Sequence, residues 1–211
     1  MRRSTLALSA AVLVAALGLA AMALAPMWRG GGDPFAPCRG GRVAGGDIGG
    51  PFTLVDGQGV EVTDAEVFAR PAILYFGYTF CPDVCPLDMM RNGEATRLLA
   101  ERGLDVTPVF VSVDPERDTP EVAGAFALTF ADDAVGLSGS RDQVEAAMRA
   151  WRVYGRAPAA EPGDGSYLVD HSTFSYLVLP GTGFVDVVGR DEPAEAVADR
   201  MQCFLDLAAR A

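Results

Sequence analysis

Pro71-Ala-Ile-Leu-Tyr-Phe-Gly77, followed at once by Tyr-Thr-Phe-Cys81-Pro-Asp-Val-Cys85-Pro86, is the stretch whose reading decides the fold. Its first seven residues are an unbroken apolar run closed by glycine. A strand covered on both faces, as in a parallel sheet, reads this way; a half-solvated strand would alternate. Two thiols follow the strand directly. Pro86 then opens a helix that runs to about Arg102 and stops at Gly103. Proline is favourable at the first helical position, and Asp88 in the first turn suits the helix dipole. A cysteine pair between a buried strand and the helix after it is a thioredoxin-like placement.

The neighbouring segments complete an α/β pattern. Phe52–Val55 and Val60–Val62 flank a glycine-rich turn and predict a hairpin. Val106–Val113 predicts the next apolar strand. Thr119 caps a helix with Pro120 at its first position, running to about Phe130. A short apolar piece, Ala134–Leu137, precedes a helix over Arg141–Trp151. Thr173–Leu179 and Phe184–Val188 flank Pro180-Gly-Thr-Gly183, a strong hairpin signal. Glu192–Ala209 predicts a closing helix. Strands alternating with helices, then a hairpin and a last helix, indicate an α/β, thioredoxin-like domain with a mixed central sheet. The linkage from Tyr154 to Tyr167 carries no clear element.

The N-terminus has a different character. Arg2 and Arg3 precede an uncharged apolar run from Leu6 to about Met27. About 20 such residues cross a bilayer core. Arginines on the N-terminal side keep that end in the cytoplasm. Ala23-Leu24-Ala25 resembles a signal-peptide cleavage site, but Pro26 after it and the length of the run favour an uncleaved transmembrane helix. The expected organisation is an anchor over 1–29, a Gly/Pro-rich tether over 30–46 and a globular domain over 47–211. The address is then a bacterial inner membrane, crossed once, with the C-terminal domain in the periplasm. The net charge is −11 and every basic residue is arginine. This excludes nucleic acid as a partner, which would need basic patches.

The chemistry-bearing residues are few. Cys81 and Cys85 could close a disulfide, exchange disulfides or hold a soft metal. A purely structural disulfide explains little, because so short a loop restrains few unfolded conformations. His171, the chain's one histidine, sits in Val169-Asp170-His171-Ser172-Thr173, just before a strand. Two thiolates and an imidazole suit copper or zinc far better than calcium or magnesium. A structural zinc site wants four ligands, usually with closer cysteine pairs, whereas Cu(I) accepts three. Asp170 or Asp114 could orient His171 through its second ring nitrogen. Cys38 and Cys203 could pair or remain free; spacing does not decide.

Three motifs, in order, resemble the SCO/SenC family of copper chaperones. They are Tyr75-Phe-Gly-Tyr-Thr-Phe-Cys81-Pro-Asp-Val-Cys85-Pro86, Val111-Ser-Val-Asp114-Pro-Glu-Arg117-Asp118-Thr119-Pro and Tyr167-Leu-Val-Asp170-His171-Ser-Thr. Leu137-Ser-Gly-Ser and Trp151-Arg-Val-Tyr154 also fit. The resemblance implies a membrane-tethered thioredoxin-like domain that binds copper, as Cu(I), Cu(II) or both, through Cys81, Cys85 and His171. It implies a role in building the dinuclear copper centre of cytochrome c oxidase subunit II. Further partners would be another periplasmic copper chaperone or a thioredoxin-like reductant. Phe80 stands where many members carry histidine, which removes an accessory ligand. Cys38 and Cys203 lie outside the pattern. The reading is therefore metal delivery rather than enzymatic turnover. Its rival is a thiol-disulfide oxidoreductase, with Cys81 and Cys85 as a redox disulfide, that reduces the oxidase's copper-site cysteines or senses redox state. A weaker rival is a peroxide-detoxifying enzyme, for which Arg117 is the one motif arginine available.

Overall fold

A computed structural model describes residues 33–39, 48–157 and 167–210. The chain divides into two compact units, Met1–Pro37 and Cys38–Ala211. In the first, the Phe35 amide donates to the Asp33 carboxylate and the Ala36 amide to the Asp33 carbonyl, making a tight turn. The predicted membrane span falls outside the described residues. Among those described, no helix is long and apolar enough to cross a membrane.

The second unit is built on a seven-stranded sheet. Its strands are β1 (Thr53–Asp56), β2 (Glu61–Thr63), β3 (Ala72–Gly77), β4 (Thr107–Ser112), β5 (Val135–Ser138), β8 (Ser175–Leu179) and β9 (Gly183–Val188), in the order β2-β1-β5-β4-β3-β8-β9. β3, β4 and β5 run parallel, and the flanking pairs are antiparallel. This is the mixed sheet expected. All residues of β3 and β4 are buried, so the unbroken apolar run is explained by cover on both faces. Side chains alternate across it. Leu74 and Phe76 join Phe52, Val109, Val111 and Trp151 in one core. Tyr75 joins Phe110, Met89 and both motif cysteines in the other. A short ribbon, β6 (Gly155–Arg156) with β7 (Asp170–His171), was not foreseen.

The helices are α1 (Asp64–Val67), α2 (Val84–Glu101), α3 (Pro120–Leu128), α4 (Arg141–Ala150) and α5 (Ala194–Ala208). Their ends follow local chemistry. Thr119 caps α3 by accepting from the Val122 amide, with Pro120 at the first position. Ser140 and Gln143 form a reciprocal capping box on α4. Gly103, at φ +77°, ends α2. Its amide reaches the Ala100 carbonyl and that of Leu104 reaches Leu99, a complete Schellman closure.

Two expectations about α2 need correction. The helix begins at Val84, so Pro86 is its third residue and Cys85 its second. The first four helical amides have no partner within the helix, so proline sacrifices no bond there. Asp88 therefore lies beyond the first turn. It is buried and paired with Arg91 rather than set against the dipole. The open question of Cys38 and Cys203 is resolved: they form a disulfide, with Cα atoms 5.6 Å apart, that fastens Cys38 to α5.

Candidate metal centre

β3 ends at the Cys81 loop because Gly77 permits a crowded approach. A Cβ there would lie 2.7 Å from Tyr75 Cε1 and 3.0 Å from Cys85 Sγ. The loop that follows is held by a buried carboxylate. Asp118 accepts from the Thr79 amide (2.9 Å), the Thr79 hydroxyl (2.5 Å) and the Ser112 hydroxyl (2.6 Å). β3, the loop and the end of β4 are thereby locked together. α2 then carries Cys85 back under the loop, where its amide donates to Cys81 Sγ (3.3 Å).

His171 arrives from a distant part of the chain. The β6–β7 ribbon supports it, with Gly155 opposite His171 in register. The Ser172 amide donates to the Tyr154 carbonyl (2.9 Å), and the Tyr154 amide donates to the Ser172 hydroxyl (3.0 Å). Arg117 joins the two halves. Its guanidinium stacks 3.5 Å over the Tyr167 ring and lies 4.7 Å over the Phe80 ring. Arg117 also donates to Asp114 Oδ2 (2.6 Å) and to the Tyr167 carbonyl (2.9 Å). The Tyr167 hydroxyl donates to the other Asp114 oxygen (2.7 Å).

Cys81, Cys85 and His171 converge, with one ligand atom from each, all within 4.8 Å of one another. Cys85 Sγ is 3.4 Å from His171 Nε2. His171 Nδ1 is 2.7 Å from the Ser172 carbonyl. A carbonyl only accepts, so Nδ1 carries the proton and Nε2 presents its lone pair to the thiols. The ring's orienting partner is thus the Ser172 carbonyl, not the carboxylate of Asp114 or Asp170. Asp114 is taken up by Arg117 and Tyr167, and Asp170 lies exposed in β7. Tyr78 and Tyr75 pack edge-on against the imidazole.

The electrostatics separate the two thiols. Burial pushes the Cys85 thiol well up. Burial also acts to raise Cys81, but hydrogen bonds from Cys85, Asp83 and Tyr78 outweigh it and hold that thiol below the ordinary cysteine value. Burial lowers the His171 pKa, against smaller opposing effects from the Ser172 carbonyl and from Asp88 and Asp170, so the ring is neutral at pH 7. Cys85 is fully buried and Cys81 is 9% exposed, which makes Cys81 the more accessible of the two thiols; His171 is half-buried. Two sulfurs and a neutral imidazole nitrogen are a donor set for a soft or borderline cation. Arg117 is engaged with aromatic rings and Asp114, a clamp role rather than the thiol-activating one that peroxide chemistry needs. Sequence reasoning assigned no role to Asp118, Ser172 or Tyr78. Asp118 stood inside a quoted motif, but its partners lie up to 39 residues away.

The SCO1/SenC family model matches residues 42–206. The chain is 48% identical to protein SenC of Rhodobacter capsulatus over 97% of its own length and 91% of the relative's. It spans about half the length of the curated mitochondrial relatives it matches. The solved structure of Arabidopsis thaliana ScoI with copper bound is similar at 37% identity and a TM-score of 0.69, covering 75% of this chain and 99% of that one. Yeast Sco1 with copper bound is similar at 36% identity and a TM-score of 0.70, covering 76% and 90%. With the fold, the motif order and the Cys-Cys-His cluster in agreement, the chain belongs to the SCO1/SenC family.

Proposed function

We propose that this chain is a metallochaperone that carries one copper ion on Cys81, Cys85 and His171 and delivers it to the dinuclear copper centre of cytochrome c oxidase subunit II. The observation that carries the reading is the convergence of two sulfurs and an imidazole whose Nε2 lone pair is aimed at them. The copper-bound structures of similar proteins support copper as the cargo. Three ligands leave room for a fourth. A partner thiolate adds there, and the copper bonds to Cys81, Cys85 and His171 are exchanged one by one for bonds to the partner. Of the two thiolates, Cys81 is the more accessible and the natural first to leave.

Residues 1–29 anchor the chain in the bacterial inner membrane, 30–46 tether it, and the domain over 47–211 works in the periplasm. The support is the paired arginines and the uncharged run of the N-terminal sequence. Another periplasmic copper chaperone would load the site, and a thioredoxin-like reductant would return Cys81 and Cys85 to the dithiol state.

One observation favours the rival oxidoreductase. A thiol held low beside a buried thiol held high is the asymmetry that disulfide exchange uses. His171→Ala separates the two. It removes a third of the ligands and leaves both thiols on their helix. In cells lacking the native gene, the variant should fail to restore oxidase activity at low copper while it still reduces a test disulfide. Full rescue by a variant that binds copper poorly would overturn copper delivery in favour of thiol reduction.

A further inference from the structure

The helix that carries Cys85 also buries an ion pair. Asp88 is three residues further on, the same face of α2, and is 3% exposed. Its Oδ1 is 3.4 Å from Arg91 Nη1, and its Oδ2 is 3.9 Å from Arg190 Nε. Arg91 is itself pinned, donating to the Gly189 carbonyl (2.8 Å), to the Ser175 hydroxyl (2.7 Å) and to Asn92 Oδ1. The pair therefore has a direction. Arg91 is fixed to β8 and to the loop after β9. The carboxylate shares the face of α2 that carries Cys85, and its negative charge acts on the His171 imidazole. Tyr75 lies between, its ring sharing the small space beside Gly77 with Cys85 Sγ. The Tyr75 hydroxyl and Asp88 Oδ2 are both buried, and Tyr75 interacts with the Asp88 carboxylate on one side and the Cys85 thiol on the other, so it links the ion pair to the cluster.

Burying an ion pair is no route to stability, since apolar replacements are often as good or better. The orientation also works against the thiols, because a carboxylate beside two thiolates adds like charge. The arrangement becomes favourable when a cation occupies the cluster, and more so the higher its charge. We propose that Asp88, held in place by Arg91, biases the Cys81–Cys85–His171 cluster toward Cu(II) relative to Cu(I). This rests on the reading of that cluster as a copper site. Asp88 ligates nothing and acts through space. The equilibrium is one-electron: Cu(II) gains an electron from an external donor and becomes Cu(I), with no proton or ligand exchanged.

The full-length chain, reduced and loaded with one copper, would be titrated with redox mediators while the sulfur-to-Cu(II) charge-transfer absorbance is followed. Asp88→Asn should lower the Cu(II):Cu(I) affinity ratio about tenfold, which raises the midpoint by about 59 mV for one electron. Arg91→Gln should move it the opposite way. Arg190→Gln, at a half-exposed position that does not endanger the fold, should move it the same way as Arg91→Gln by less. Asp88→Glu should restore the wild-type value. A general loosening of the domain would not produce shifts of opposite sign. Unmoved midpoints, or shifts of one sign in the Asp88→Asn and arginine variants, overturn the proposal while leaving the copper site standing. A wild-type chain that takes up no copper overturns the site reading and this proposal with it. If Asp88→Asn does not fold, the sign of the Arg190→Gln shift decides.

Discussion

Replacing Arg117 by alanine removes the clamp between the Cys81 loop and the His171 segment. The lost contacts can be counted. The stack on Tyr167 at 3.5 Å is a cation–π contact worth about 0.5–2 kcal/mol. The hydrogen bond to Asp114 is charge-assisted, and such bonds contribute about 1.5–3 kcal/mol. The bond to the Tyr167 carbonyl is also lost. Asp114 keeps the Tyr167 hydroxyl but no longer has a cation, and breaking a buried pair costs about 3–5 kcal/mol. These overlap, so a net loss of about 3 kcal/mol is a fair working figure, a factor of about 100 in an opening equilibrium. Hydrogen exchange on the full-length chain reads this directly. The Ser172 amide, bonded to the Tyr154 carbonyl, should exchange about 100-fold faster in Arg117→Ala. Arg117→Lys keeps the charge but loses the planar fork, and should fall between. A Ser172 amide that keeps its wild-type rate in Arg117→Ala would refute the clamp.

Two further outcomes are expected. The Cys38–Cys203 disulfide spans a sequence separation of 165, so the chain-entropy argument assigns it about 5 kcal/mol at most; the Cys38→Ser/Cys203→Ser variant should unfold at clearly lower urea, and an unchanged midpoint would show that the bond restrains nothing. The depressed His171 pKa has a defined sign: below about pH 6.5 the unfolded chain binds a proton that the folded imidazole refuses, so its contribution is present at neutral pH and lost as pH falls. Asp88, raised by burial, titrates with the opposite sign, so the measurement is the difference in unfolding free energy between wild type and His171→Asn from pH 7.5 to 5.5. That difference should shrink as pH falls; a constant difference would contradict a buried neutral ring.

Much of the fold was legible in local signals. The run from Pro71 to Gly77 predicted a doubly covered strand because its continuity has no other economical explanation. Thr119-Pro120 and Gly103 marked helix ends because capping chemistry is local. The β6–β7 ribbon was not legible, since strands of two residues carry no periodicity. The start of α2 was misplaced because proline is tolerated throughout a helix's first turn, not only at its first position. In the site, the ligand candidates were readable from residue type. Their supports were not. Asp118 acts on Thr79 and Arg117 on Tyr167, contacts that arise only when distant segments meet, while the Ser172 carbonyl holds the His171 ring through a local backbone geometry that residue type does not reveal. The aspartates guessed as orienting groups were plausible by chemistry, but the backbone carbonyl next door does the same task without a second charge.

The central claim is that two sulfurs and one nitrogen of this chain hold copper together. X-ray absorption at the copper edge of the Cu(I)-loaded, full-length protein tests it most directly. The account predicts a first shell of two sulfurs and one imidazole nitrogen, with the nitrogen lost in His171→Ala. A shell of oxygen alone, or a wild-type shell that already lacks the imidazole nitrogen, would contradict it.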